Sequence, residues 1–157
     1  MKSSDLDLIL EWRNHPDIRK KMFNQEKIEQ NEHKRWFKES TQNPDKELLI
    51  FEVNSKPMGF VNFNLINKKE CDWGFYIAPN SQKGIGSIMG KLALDYAFNE
   101  LGVVKIKAQA LSSNKLSIKY HEKMGFVKCK TLRKSFYNQS SYENIICFEL
   151  SINYWNE

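Results

Sequence analysis

The sequence predicts an α/β fold: a mixed, mostly antiparallel sheet flanked by helices. Three observations predict it. From Glu47 to Ile77 the residues alternate apolar and polar in three short runs joined by turn residues, the mark of an antiparallel meander. The segments Gly86 to Glu100 and Asn114 to Met124 instead repeat their apolar residues at helical spacing, with one strand-like run, Lys105 to Leu111, between them. The chain then closes in a hairpin, from Phe126 through Asn138-Gln139-Ser140-Ser141 to Tyr142–Ile152.

Each element has a local reason. Ser3 or Ser4 is placed to cap a helix from about Asp5 to Arg13, with Leu6, Ile9 and Leu10 on its buried side. Asn14-His15-Pro16-Asp17 ends it, because proline disfavours a helical residue before it. A second helix is expected from Asn31 to Thr41, packing through Trp36 and Phe37. Glu47 to Val53 reads as a strand, Asn54-Ser55-Lys56-Pro57 as a turn, and Met58 to Ile66 as the next strand. That strand puts Val61, Phe63 and Leu65 on one face and Phe60, Asn62 and Asn64 on the other; the two amides make either a solvated face or the polar wall of a pocket. Asn67-Lys68-Lys69 turns the chain into Cys71 to Ile77. The long helix has the stripe Ile85, Ile88, Met89, Leu92, Ala93 and Tyr96 and ends at Gly102, and the last helix stops at Gly125.

Composition narrows the class. With 157 residues, no repeat and no linker rich in Pro, Gly or Ser, one domain spanning the whole chain is expected. Ten Phe, six Tyr and four Trp exclude a disordered chain. The longest stretch free of Asp, Glu, Lys and Arg is the eleven residues Pro57 to Asn67, against the roughly 20 that a membrane helix needs, and the start lacks the apolar run of a signal peptide. A cytoplasmic protein is expected. Cys71, Cys129 and Cys147 are scattered and odd in number, which argues against a disulfide framework and against structural zinc. The net charge of +5 attracts polyanions, but the basic residues are spread along the chain rather than gathered into a nucleic-acid-binding arm.

The segment Tyr76-Ile77-Ala78-Pro79-Asn80-Ser81-Gln82-Lys83-Gly84-Ile85-Gly86-Ser87 carries most of the chemistry. A strand ends, a short loop with two glycines follows, and an amphipathic helix begins. Such a loop lets amide N–H groups approach an anion, and the helix N-terminus adds about half a positive charge. The pattern suits a phosphate or pyrophosphate, or is an ordinary strand-to-helix turn. It is not a P-loop, lacking Gly-Lys-Ser/Thr. On the last helix Leu116, Tyr120 and Met124 form an apolar row, while Asn114, Ile118 and His121 lie on a different face, Asn114 and His121 roughly 10 Å apart.

These two segments resemble the GNAT superfamily of acyl-CoA-dependent N-acetyltransferases. Asn114-Lys115-Leu116-Ser117-Ile118-Lys119-Tyr120-His121-Glu122-Lys123-Met124-Gly125-Phe126 is similar over its whole length to a second motif of that superfamily. Glu11-Trp12-Arg13-Asn14-His15-Pro16-Asp17-Ile18-Arg19, with His33-x-x-Trp36-Phe37 and Phe75-Tyr76, resembles a narrower group. Its members are the UDP-4-amino-4,6-dideoxy-N-acetyl-altrosamine N-acetyltransferases of pseudaminic acid biosynthesis. Three departures stand out: the strand that opens the family is missing or vestigial, Gln82 stands one place late for the loop's usual Gln/Arg, and the family's frequent catalytic Tyr falls on His121, with Tyr120 just before it.

The resemblance implies acetyl-CoA as cosubstrate. Its holders would be Ile77, Ala78, Gln82, Lys83, Gly84, Ile85, Gly86, Ser87, Asn114 and Lys123, with Asn114 on the pantetheine arm. It also implies a UDP-linked amino sugar as acceptor, lying against Arg13, His33, Asn62, Asn64 and Tyr76. The neutral amine would attack the thioester after a water or His33 takes its proton. Amides at Ile77–Ala78 would stabilise the oxyanion by about 3–4 kcal/mol. The thiolate would leave with a proton from His121 or Tyr120, histidine's reference pKa of about 6.5 suiting that task better than tyrosine's of about 10. Asp72 is either a base or a solvated strand residue. No metal, nucleic acid or membrane is implied, and a homodimer is the one assembly considered. The rival readings are a protein N-terminal acetyltransferase, a non-catalytic acyl-CoA-sensing module and a basic nucleic-acid binder.

Overall fold

The computed structural model describes residues 1–155. A single 3-10 turn, Ser3–Asp5, leads into α1 (Leu6–Asn14), α2 (Pro16–Arg19) and α3 (Gln30–Gln42). Then come β1 (Lys46–Val53), β2 (Lys56–Asn67), β3 (Glu70–Ile77), α4 (Ile85–Asn99), β4 (Lys105–Leu111), α5 (Lys115–Lys123), β5 (Val127–Tyr137), β6 (Tyr142–Ser151) and the short α6 (Ile152–Trp155). All strands lie in one sheet in the order β1-β2-β3-β4-β6-β5, and helices precede the first of them. The mixed α/β architecture is therefore as expected, down to the missing opening strand.

Five local readings are corrected. Neither serine caps α1: the Asp5 carboxylate accepts the Lys2 amide at 2.6 Å, and a 3-10 turn forms instead. The segment at Pro16 breaks one helix only to start another, because proline fits the first helical position and the His15 ring accepts the Asp17 amide at 3.3 Å. On α4, Ile88 and Leu92 are more than half exposed, and the buried side is Met89, Gly90, Ala93, Leu94, Ala97 and Phe98. That helix is apolar over so much of its circumference that two stripes compete, and contact with the sheet decides. On α5, Leu116 is 71% exposed rather than part of a buried row with Tyr120 and Met124, because the helix starts at the mouth of a cavity. The hairpin's last expected residue, Ile152, begins α6, whose Trp155 indole donates to Asp95 at 2.8 Å.

The turns follow the sequence closely. Asn54 (φ 51°) and Ser55 (φ 60°) are both left-handed, which makes the tight two-residue link between β1 and β2. Each face of the sheet has its own core. The larger lies under α4 and α5 and includes Phe63, Trp73, Met89, Leu94, Ile106, Phe126 and Phe148. The smaller joins Ile9 and Trp12 of α1 to Phe60, with Trp36, Leu48 and Tyr76 around it. Between the helices, Asn14 holds the loop after α2 by two hydrogen bonds to Ile28, both 2.8 Å.

The register places the site. Every neighbouring pair of strands is antiparallel except β3 and β4, which run parallel and pair only at Glu70–Lys105, Cys71–Ile106 and Asp72–Lys107. Beyond Asp72 and Lys107 the two strands part, while β3 stays paired with β2 and β4 with β6.

Candidate active site

The gap between β3 and β4 opens into a cavity of about 520 Å³. Its floor is Trp73 to Ile77 on one side and Ala108 to Leu111 on the other. α5 supplies Ser117, Tyr120 and His121 to one wall, and α2 with its following loop supplies Asp17, Ile18, Lys21, Met22 and Phe23 to another.

At one end lies the glycine loop. Gly84 has φ +96° and is the N-cap of α4, a conformation that excludes most side chains. Gly86 needs no such exemption, since a Cβ there would meet Ile77 and Tyr120 only at 3.8 Å. Nothing within the chain itself therefore requires a glycine at Gly86. Among the described residues the amides of Gln82, Lys83, Gly84 and Gly86 have no acceptor, so four donors are left unspent where the α4 dipole is positive. Lys123 of α5 reaches across to Ser87, Nζ to Oγ 3.1 Å, and adds a cation beside them.

The open edge of β3 supplies a further donor. The Ala78 amide is spent on the Met58 carbonyl at 2.8 Å, which corrects its expected place in an oxyanion hole. Alternation along an antiparallel ladder then turns the amides of Phe75 and Ile77 away from β2, towards the gap.

His121 and Tyr120 exchange their expected surroundings. His121 is 2% exposed, stacked on Phe148 at 5.2 Å and edge-on to Trp73 and Phe126. Its Nδ1 lies 2.8 Å from the Ser117 carbonyl, an acceptor only, so in the neutral ring Nδ1 carries the proton and Nε2 is the free lone pair. Burial lowers its pKa from the usual histidine value, only partly opposed by that hydrogen bond. The expected titration near neutrality is thus corrected: at pH 7 this is a neutral imidazole. The Tyr120 hydroxyl donates to the Gly86 carbonyl at 2.7 Å, and burial raises its pKa. Asn114 caps α5, its Oδ1 accepting the Ser117 amide at 3.1 Å, which leaves its NH₂ group for the cavity.

At the other end, Asn62 and Asn64 do form a polar wall, standing opposite Gly74 and Asp72 across the strand pair. A Cβ on Gly74 would lie 2.8 Å from Asn62 Oδ1, so that glycine makes room for the amide. Asp72 sits at the fork of the sheet with its pKa raised by burial, Lys107 opposing. Tyr76 closes this end, packed on Phe60 at 5.2 Å.

Thus Ile77, Gly86, Asn114, Tyr120, His121, Asn62, Asn64 and Tyr76 converge on one cavity. Gln82, Lys83, Gly84, Ile85, Ser87 and Lys123 lie around the loop outside its lining, and Ala78 packs into the smaller core. Arg13 and His33 are not in the lining. Arg13 donates through Nη2 to the Asn24 carbonyl at 2.6 Å and keeps a buried Nη1 without a partner. His33 is 5% exposed, stacked on Trp36, with Nε2 unpartnered. Sequence reasoning missed Lys107 and Gln109, although Lys105, Lys107 and Gln109 alternate on one face of β4. Of the segment after α2, Lys20 and Lys21 were expected to suit a nucleotide diphosphate, and Lys21 does reach the lining, whereas Met22 and Phe23 were missed.

Residues 1–127 match the acetyltransferase (GNAT) domain family. The chain belongs to this family. It is 32% identical over 126 residues to acetyltransferase PseH of Campylobacter jejuni strain 81-176, covering 80% of this chain and 79% of that relative. A solved structure of spermidine N-acetyltransferase from Vibrio cholerae, in complex with CoA and spermine, superposes with a TM-score of 0.92 over 100% of this chain and 95% of that one, at 20% identity. An N-acetyltransferase from Staphylococcus aureus Mu50 superposes at 0.82 with 24% identity, over 96% of this chain and 94% of that one. The protein is therefore an N-acetyltransferase of GNAT type, a family that takes its acetyl group from acetyl-CoA. No helix among the described residues is long and apolar enough to cross a membrane.

Proposed function

We propose that this enzyme acetylates the amino group of a UDP-linked 4-amino-dideoxy sugar in the cytoplasm, in a pseudaminic acid or related surface-glycan pathway. The observation that carries it is the charge of the cavity. Its lining holds two carboxylates, Asp17 and Asp72, and two lysines, Lys21 and Lys107. An adjoining cavity of about 360 Å³ is lined by Lys20, Lys21 and Lys115 with no carboxylate. A polyamine carries several positive charges and needs an excess of acidic groups; a nucleotide diphosphate needs the reverse. The likeness to PseH supports the same acceptor.

The cosubstrate supplies an acetyl group already activated as a thioester. The unspent amides of Lys83, Gly84 and Gly86 would hold its pyrophosphate, and the NH₂ group of Asn114 would face its pantetheine arm. The Ile77 amide stands ready for the negative charge that develops on the acyl oxygen, a contribution of roughly 3–4 kcal/mol for one such donor. His121 Nε2, a free lone pair at neutral pH, takes the proton that the attacking amine loses and passes it to the departing sulfur. Its lowered pKa suits this, because the ring must be unprotonated at the start. Asp72, in the same lining, would hold an incoming ammonium group before it loses its proton.

Thiol release from acetyl-CoA, measured with a UDP-4-amino sugar, spermidine and N-terminal peptides in turn, tests the reading. Release is expected with the sugar. Release with spermidine or a peptide alone would replace the acceptor, and CoA binding without release for any amine would make this a sensing module.

A further inference from the structure

α4 contains an interior glycine, Gly90, that helix propensity disfavours by about 1 kcal/mol against alanine. A Cβ on Gly90 would overlap the Tyr120 hydroxyl, and would come 3.0 Å from Tyr120 Cζ and 3.2 Å from Met124 Sδ. The notch therefore fits the phenol of one residue on another helix. The same hydroxyl donates to the Gly86 carbonyl, one helical turn before the notch. In α-helix geometry that carbonyl is also the acceptor for the Gly90 amide, and its second lone pair takes the phenol. Gly86 is in turn one of the residues whose amides are free at the loop. The ring is held by Phe75 at 4.9 Å and Trp73 at 6.5 Å, both on β3 where it leaves β4.

We infer that Tyr120 is a positioning residue rather than the proton donor: it pins the first turn of α4 to α5 and β3, and Gly90 is the notch that admits it. The inference rests on the glycine loop being the acetyl-CoA site. It deepens that reading by naming what keeps the free amides aimed. A hydroxyl committed to a helix carbonyl keeps the loop in place before any ligand arrives, and it has no role in the proton's path.

The test is a double-mutant cycle of Gly90→Ala, Tyr120→Phe and both together, read by calorimetric affinity for CoA and by thermal melting. Neither readout needs the acceptor or turnover. Gly90→Ala should weaken CoA by about tenfold or more and lower the melting temperature, because the phenol must leave its notch. Tyr120→Phe should weaken CoA by about fivefold, the loss of one neutral hydrogen bond. The double variant should recover to within about twofold of Tyr120→Phe, since removing the hydroxyl removes the overlap and leaves contacts that a shift of a few tenths of an ångström relieves. CoA affinity unchanged in Gly90→Ala, or a double variant no better than Gly90→Ala, overturns the inference. So does a Tyr120→Phe variant that binds CoA normally yet loses its turnover and the basic limb of its pH profile. A wild-type protein that does not bind CoA would overturn the cofactor reading itself, a result no variant could mimic.

Discussion

At the glycine-loop end of the cleft the groups offered to a ligand are backbone amides: Lys83, Gly84 and Gly86 in the loop, and Ile77 on the open edge of β3. At the other end they are side chains: Asn62, Asn64, Asp72 and Lys107 on the strands, while Arg13 and His33, outside the lining, each keep a buried nitrogen unpartnered. The loop end rests on the larger core and the other end partly on the smaller one. A ligand that never changes can be held by the main chain, which side-chain substitution leaves in place. An acceptor that differs between relatives is met by side chains, which can be exchanged without disturbing the sheet.

The comparison can be broken by experiment. The largest effect is expected at Gly86, where a valine would fill the space that a pyrophosphate needs. Gly86→Val should lose CoA binding by about a hundredfold or more, while circular dichroism shows an intact fold and acceptor binding persists. Loss of both substrates together would mean that the two ends are not separable. His121→Phe keeps the stacking on Phe148 and removes the lone pair, so turnover should fall about a hundredfold with CoA affinity unchanged. Turnover within a few-fold of wild type would take His121 out of the proton's path.

Arg13→Lys tests the acceptor end. The guanidinium holds the Asn24 carbonyl, and so the loop that carries Lys21 and Phe23 to the cavity. A point charge cannot replace that fork, and acceptor KM should rise about tenfold with CoA affinity unchanged. Equal loss for both substrates would mark Arg13 as a support of the whole fold. The smallest effect concerns pH. His33 and His121 both have pKa values lowered by burial, so the unfolded chain binds protons that the native one refuses. Stability should be fully present above about pH 6.5, the usual histidine value, and decline as pH falls from 7 to 5. A melting temperature flat over that interval would show that neither ring is held neutral.

The same contrast explains what could be read without coordinates. The glycine loop was legible because a left-handed Gly84 is demanded by the backbone and Gly86 stands two residues on, both written as glycines. Strand faces were legible too, and the alternative in which Asn62 and Asn64 wall a pocket is the one the fold adopts. The α4 stripe misled, since an almost wholly apolar helix has no direction until the sheet supplies one. Tyr120 and His121 were hard for a related reason. Neighbours on a helix point about 100° apart, and only the position of α4 decides which one meets the loop. The charge of Lys20 and Lys21 was legible, but Met22 and Phe23 were not, because what brings that loop to the cavity is long-range: Asn14 and Arg13 tie it down.

The three rungs that join β3 to β4 also set the order in which the molecule can be made. The β1–β2–β3 meander and the β5–β6 hairpin close through short turns and can form within microseconds, whereas β3 meets β4 only after the whole of α4 has crossed over. Such a long closure is the slow kind. The cleft is the space beyond that last seam, so a chain with both hairpins complete still has no site. During refolding, the sheet signal should therefore return before the ability to bind CoA.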